Sequence, residues 1–121
     1  MSDKDIEQEI QAKGKTAARV TPADIEAEIV IEHYHSPLQA GDQASTGDSN
    51  GALNTLTFCV LVLRNGFTVT GESACASPEN FDAEIGRKVA RANAVQKIWP
   101  LLGFRLRDEL ARPVLTDADA A

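Results

Sequence analysis

The sequence predicts an α+β domain: a small antiparallel β-sheet built on a central β-hairpin, packed by a long and a short C-terminal α-helix, with an N-terminal helix. Three observations predict it. Two β-rich runs, residues 55–63 and 67–75, flank Asn65-Gly66. That dipeptide is the strongest short-range hairpin signal, because both central residues of a type I′ turn need φ > 0. Beyond the hairpin, Phe81, Ile85, Val89, Ala92, Val95 and Trp99 recur at helical spacing. Before it, Thr21-Pro22-Ala23-Asp24 reads as a helix start: Thr21 caps, Pro22 suits the first helical position and Asp24 meets the positive end of the helix dipole.

In chain order, residues 1–17 alternate acids, lysines and glutamines with little to bury, and read as a disordered tail. Residues 18–35 form an N-terminal helical segment running to about Tyr34. Its consecutive Ile29, Val30 and Ile31 break helical periodicity, so part of the segment is open to being a strand. Residues 36–53, rich in Gly, Ser, Asp, Gln and Ala, read as a flexible loop. Residues 54–112 are the hairpin-plus-helices core, and 113–121 a second disordered tail. The ordered part is then about 75 residues, a marginal size for a core, which points to a homo-oligomer.

With Arg64 and Phe67 flanking a two-residue turn, Leu56, Phe58, Val60, Val62, Val69 and Cys75 share one sheet face. Thr55, Thr57, Cys59, Leu61, Leu63, Thr68, Thr70 and Glu72 share the other. This register points Cys59 and Cys75 to opposite sides, which excludes a disulfide between them. Leu61 and Leu63 would be exposed on an isolated hairpin; either helices cover both faces or a second subunit covers one, and a subunit interface is the favoured reading. Ser77-Pro78-Glu79 is the expected start of the long helix, whose apolar stripe from Phe81 to Trp99 lies against the sheet. That helix ends near Trp99, before Pro100, and a short one follows over about 102–111.

Twelve basic against eighteen acidic residues give a net charge of −6. DNA or RNA coating is disfavoured, since a phosphate backbone is repelled over most of such a surface. No apolar run is long enough for a membrane span, and the start lacks the basic and apolar regions of a secretion signal, so the expected location is cytoplasmic. Two cysteines without a CxxC pair make no metal site by themselves. His33 and His35 have only Glu28 and Glu32 near them in sequence, short of a settled ligand set. No cofactor is called for. No nucleophile has a base at a telling spacing, there is no phosphate-cradling Gly-rich loop, and no carboxylate pair stands out, so no enzyme is expected.

The charge is segregated. Arg87, Lys88, Arg91, Lys97, Arg105 and Arg107 fall in a stretch without a single acid. One reading is a solvated face complementing helix dipoles. The other is an anion site, because a guanidinium fork holds phosphate oxygens two at a time. Phe81, Trp99, Phe104 and Phe67 offer flat faces for a nucleobase, and Asn65, Asn80 and Asn93 offer paired donors and acceptors.

The runs 56–75 and 78–88, with Trp99-Pro100-Leu101, resemble the small phage and prophage proteins named after phage gene 49 and gene 66 products. The strand–hairpin–two-helix layout is also similar to one type of phage anti-Thoeris "sponge" protein. That resemblance implies a phage-encoded anti-defence protein, present in an infected or lysogenic host. It would bind cyclic ADP-ribose isomers, and cyclic oligonucleotides in some cases, without cleaving them. It implies a homo-oligomer, dimer or hexamer, with pockets between protomers built from an aromatic residue, an asparagine and arginines. By residue type, Phe81, Arg87, Arg91, Asn93, Arg105 and Arg107 are the candidates. The competing reading is a phage accessory protein that binds a host protein and no small molecule.

Overall fold

A computed structural model describes residues 2–37 and 51–112. Most of the expected 36–53 loop and the 113–121 tail lie outside the described residues. The chain forms two compact units, one of Ile29–Lys97 and one that joins the residues before Ile29 to those after Lys97. The fold is α+β, as expected.

In the first unit, β1 (Ile29–His35), β2 (Leu56–Leu63) and β3 (Thr68–Ala74) form an antiparallel sheet in the order β1-β2-β3. The segment expected as helix to Tyr34 therefore turns to strand at Ile29, where three β-branched residues in succession favour an extended chain. A bulge between Ile29 and Ile31 leaves Val30 as the extra residue.

The hairpin forms, but one residue out of the expected register. Its loop has three residues: Leu63 N–H donates to Phe67 O and Gly66 N–H to Leu63 O, both at 2.8 Å. Gly66 takes the left-handed conformation (φ 88°), and Asn65 Oδ1 accepts from Phe67 N–H at 2.9 Å. A type I turn closed by a left-handed glycine is the common three-residue alternative to a type I′ turn. Cys59 now faces Gly71, and Phe58 faces Glu72. Thr57, Cys59, Leu61 and Leu63 are buried on one face with Val69 and Gly71, so Val69 changes sides relative to expectation. Leu61 alone, at 0 % exposed, is worth roughly 1.5–3 kcal/mol of burial. The expected subunit interface on the Leu61 and Leu63 face is corrected: a helix of the same unit covers it.

That helix is α3 (Ala83–Gln96). Asp82 caps it, accepting from Ile85 N–H at 3.0 Å, while Ser77 opens only a single 3-10 turn over Pro78–Asn80. The face against the sheet is not the large apolar stripe. Gly86, Ala90, Ala94 and Val95 are buried, whereas Ile85 is 60 % and Val89 44 % exposed. The cause is backbone proximity. A Cβ on Gly71 would lie 2.3 Å from Ala90 O and 2.3 Å from Ala94 N, and one on Gly86 would lie 2.7 Å from Thr57 Oγ1. Only small side chains fit between β3 and α3.

Cys75 lies opposite Thr55, to whose carbonyl its N–H donates. The cysteines thus share a face, correcting the expectation, and what keeps them apart is distance. Four residues of strand separate Thr55 from Cys59, about 13 Å, against a limit of about 7 Å between bridged Cα atoms. Both thiols are free.

The second unit contains α1 (Asp3–Ala12), α2 (Pro22–Glu28) and α4 (Ile98–Ala111). Residues 3–12, expected as loose tail, are helical because Ser2 and Asp5 cap each other's backbone reciprocally. Arg19 then clamps Glu7 through both guanidinium nitrogens, and Trp99 Nε1 donates to Asp3 Oδ2 at 3.2 Å. Thr21 and Asp24 form a second capping box before α2. α4 starts before Pro100, not after it: in the first turn the missing N–H has no partner to lose. α2 packs on α4, and Ile25, Ile98 and Leu102 are buried. Among the described residues, no helix is long and apolar enough to cross a membrane.

Candidate functional site

The sheet unit holds a cleft of about 200 Å³ between the end of β3, the 3-10 turn and the first turns of α3. Phe81, Ile85 and Val89 line it together with Thr55, Ser73, Cys75 and Asn80. Its existence follows from the small-residue seat of α3. Because Gly86 and Ala90 face the sheet, the bulkier Ile85 and Val89 are turned to its edge, where they line a hollow instead of filling a core. Ser73 Oγ donates to Gly86 O at 2.9 Å and fixes one wall. Cys75 Sγ lies 3.1 Å from Ser77 O, as donor, and fixes another. Asp82 also reaches the cleft, with one carboxylate oxygen committed to the helix cap. A carboxylate there repels phosphate, so the chemistry of the cleft suits a flat, uncharged group such as a nucleobase.

Phe81 is half-buried and lines this cleft, as does the exposed Asn80. Asn93 and Arg91 leave α3 on opposite flanks. Asn93 Nδ2 donates to Glu72 O on β3 at 2.8 Å. Arg91 grips Glu32 on β1 through Nε (3.0 Å) and Nη2 (3.2 Å). β1 and β3 are the outer strands of the sheet, so this pair does not converge within one chain. Arg87 is exposed and makes no ion pair among the described residues. In the helical unit, Arg105 Nη2 donates to Glu28 Oε1 at 2.6 Å, and Glu28 is only 2 % exposed. Arg107 is exposed.

The electrostatics follow from these pairings. Arg91, and then the Tyr34 hydroxyl, hold the Glu32 carboxylate below its ordinary range. Burial, with the hydrogen bond to Glu32, pushes the Tyr34 phenol far up. Burial also raises the Cys59 thiol. This cluster is an ion-pair and hydrogen-bond network between β1 and α3. His33 and His35 sit on the opposite face of the sheet, their rings 6.1 Å apart. Among the described residues, no group of three or more His, Cys, Asp or Glu side chains is placed to hold a metal ion.

Sequence reasoning placed Phe81 both on the packed stripe and among the ligand candidates, and missed Ile85, Val89 and Cys75 as cleft residues. The signal available was Gly86-x-x-x-Ala90-x-x-x-Ala94, a small-residue row that competes with the apolar stripe for the sheet. It also missed Glu28, whose burial makes Arg105 a partner inside its own chain.

No curated protein and no solved structure matches the chain. Its residues 20–110 match the Phage protein (N4 Gp49/phage Sf6 gene 66) family. The match spans the sheet, α3 and nearly all of α4, and the chain belongs to that family.

Proposed function

We propose that this phage-family protein is a sponge for cyclic nucleotide signals, which binds a cyclic ADP-ribose isomer, or a cyclic oligonucleotide, and releases it intact. The observation that carries the reading is Phe81: an aromatic residue, half-buried, that lines a cleft together with Asn80 rather than packing into a core. Stacking on such a ring is worth about 1–3 kcal/mol per base, and Asn80 offers both a donor and an acceptor to the base edge. The phosphates go to arginines. Arg87 is available on the same chain, and Arg91, Arg105 and Arg107 join it where copies of the chain meet in a homo-oligomer. Arg91 and Arg105 are already held by Glu32 and Glu28, so their guanidinium planes are oriented before a ligand arrives. Sequestration needs affinity and slow release, and no bond in the ligand is broken.

Titration calorimetry with a cyclic ADP-ribose isomer and with cyclic trinucleotides tests this. The expected result is tight binding of at least one, with unaltered ligand recovered after heating. Absence of binding across the series, together with specific capture of one host protein, would replace this reading with that of a protein-binding accessory factor.

A further inference from the structure

The Asn65-Gly66 pair that closes the hairpin is also a reactive pair. In an Asn-Gly dipeptide the glycine nitrogen, once deprotonated, attacks the asparagine side-chain carbonyl with little hindrance, because glycine puts no Cβ in the path of the closing ring. The turn acts on each partner in that reaction. Gly66 N–H donates to Leu63 O at 2.8 Å, so the proton that must leave is held inside the turn. Asn65 Oδ1 accepts from Phe67 N–H at 2.9 Å, so the carbonyl that must swing onto the Gly66 nitrogen is fastened to the next amide along the chain. Gly66 is itself fixed in the left-handed region, at φ 88°. Arg64, Asn65 and Gly66 are all exposed, so water reaches the site.

We propose that Asn65 is a site of spontaneous deamidation gated by the hairpin turn: closed, the turn withholds both reacting groups, and open, it releases them. The reaction consumes only water and is redox-neutral. The Gly66 nitrogen forms a bond to Asn65 Cγ and gives up its proton; the Cγ–Nδ2 bond breaks and ammonia leaves, which gives a cyclic imide. Water then opens the imide at either carbonyl. Attack at Cγ yields an ordinary aspartate, whose carboxylate can still accept from Phe67 N–H. Attack at the Asn65 main-chain carbonyl yields isoaspartate, which routes the backbone through the side chain and lengthens it by a methylene. A loop closed between Leu63 O and Gly66 N–H has no slack for that insertion, and hairpin loop length fixes strand register. The register in turn sets Gly71 of β3 against Ala94 of α3. A chain that stays open long enough to react is thereby kept from rebuilding its sheet, and the modification marks chains that have unfolded.

This inference is independent of any ligand and is tested without one, on the full chain. The sequence holds a second Asn-Gly pair, Asn50-Gly51, which serves as the internal standard in the unfolded chain. Protein is aged at mildly alkaline pH, native and in concentrated urea. Peptide mass spectrometry follows loss of the Asn65 amide, and isoaspartyl methyltransferase labelling reports isoaspartate. In urea, Asn65 is expected to react at a rate comparable to that of Asn50. In the native protein it is expected to react at least about tenfold more slowly than in urea, because only the open fraction reacts. Sub-denaturing urea that speeds amide exchange at Gly66 should speed the reaction in proportion. Asn65→Asp has the composition of the aspartate product and separates charge from backbone length. It is expected to refold like the wild type, whereas chains with isoaspartate at position 65 fail to regain the native near-ultraviolet circular dichroism. Equal rates in native and unfolded protein overturn the gate. An Asn65 that stays intact in urea overturns the site, and isoaspartate chains that refold as readily as Asn65→Asp overturn the consequence drawn from it.

Discussion

Gly71 of β3 and Ala94 of α3 meet backbone to backbone: a Cβ on Gly71 would stand 2.3 Å from the Ala94 nitrogen and 2.9 Å from its Cα. No flexible side chain is present there to move aside. This contact seats α3 on the sheet and so decides which helix residues are left to line the cleft.

Gly71→Ala therefore destabilises the sheet unit by about 3 kcal/mol, the upper range for overpacking. Urea unfolding followed by circular dichroism reads it. A loss below about 0.5 kcal/mol would mean the helix sits farther from β3 than the structure places it.

The hairpin and the two C-terminal helices were legible because their signals are local: Asn65-Gly66, and a periodic apolar row. The register was not. Asn-Gly serves a two-residue type I′ turn and, with Gly66 alone left-handed, a three-residue loop; only pairing across the whole strand decides between them. The helix face was misread for a related reason. Ile85 and Val89 are the more apolar residues, but close approach puts Ala90 and Ala94 against Gly71 and Gly86 against Thr57, where only small side chains fit. β1 was legible only as an alternative, through the consecutive Ile29, Val30 and Ile31, and α1 emerged only through its capping box and the Arg19 clamp. Of the candidate site, the aromatic residue was legible as a residue type, and the cleft around it was not.

Glu7 titrates at about 2, far below its ordinary 4.5, first because of Arg19 and then of Gln11. A depressed carboxylate contributes stability that is complete above the unfolded value and is lost as pH falls toward the folded one. The clamp on α1 is therefore expected to release between about pH 4.5 and pH 2. Amide exchange of residues 3–12 measures this, and Arg19→Ala should release the helix at neutral pH. Protection that persists unchanged in Arg19→Ala would contradict it.

Arg91 and Glu32 tie α3 to β1 through two hydrogen bonds, with both side chains partly exposed. A double-mutant cycle to alanine is expected to give a coupling of about 0.5–1 kcal/mol, discounted for solvent screening. Removal of Arg91 alone should raise the Glu32 titration toward its ordinary range, observable by carboxyl carbon NMR. An unmoved Glu32 would break the assignment.

Cys59 is 0 % exposed and its thiol is raised by burial, whereas Cys75 is half-exposed beside the cleft. In the native protein, a thiol reagent should modify Cys75 and leave Cys59 until denaturant is added. Two equally fast thiols would contradict the register that buries Cys59 under α3.

The cleft around Phe81 is the centre of the functional account, and its most direct test is the affinity of Phe81→Ala for the cyclic nucleotide that the wild type binds best. Loss of one stacked base predicts binding weaker by about 10- to 100-fold, with the fold and the self-association unchanged. Equal affinity in the two proteins would place the ligand elsewhere and contradict the account.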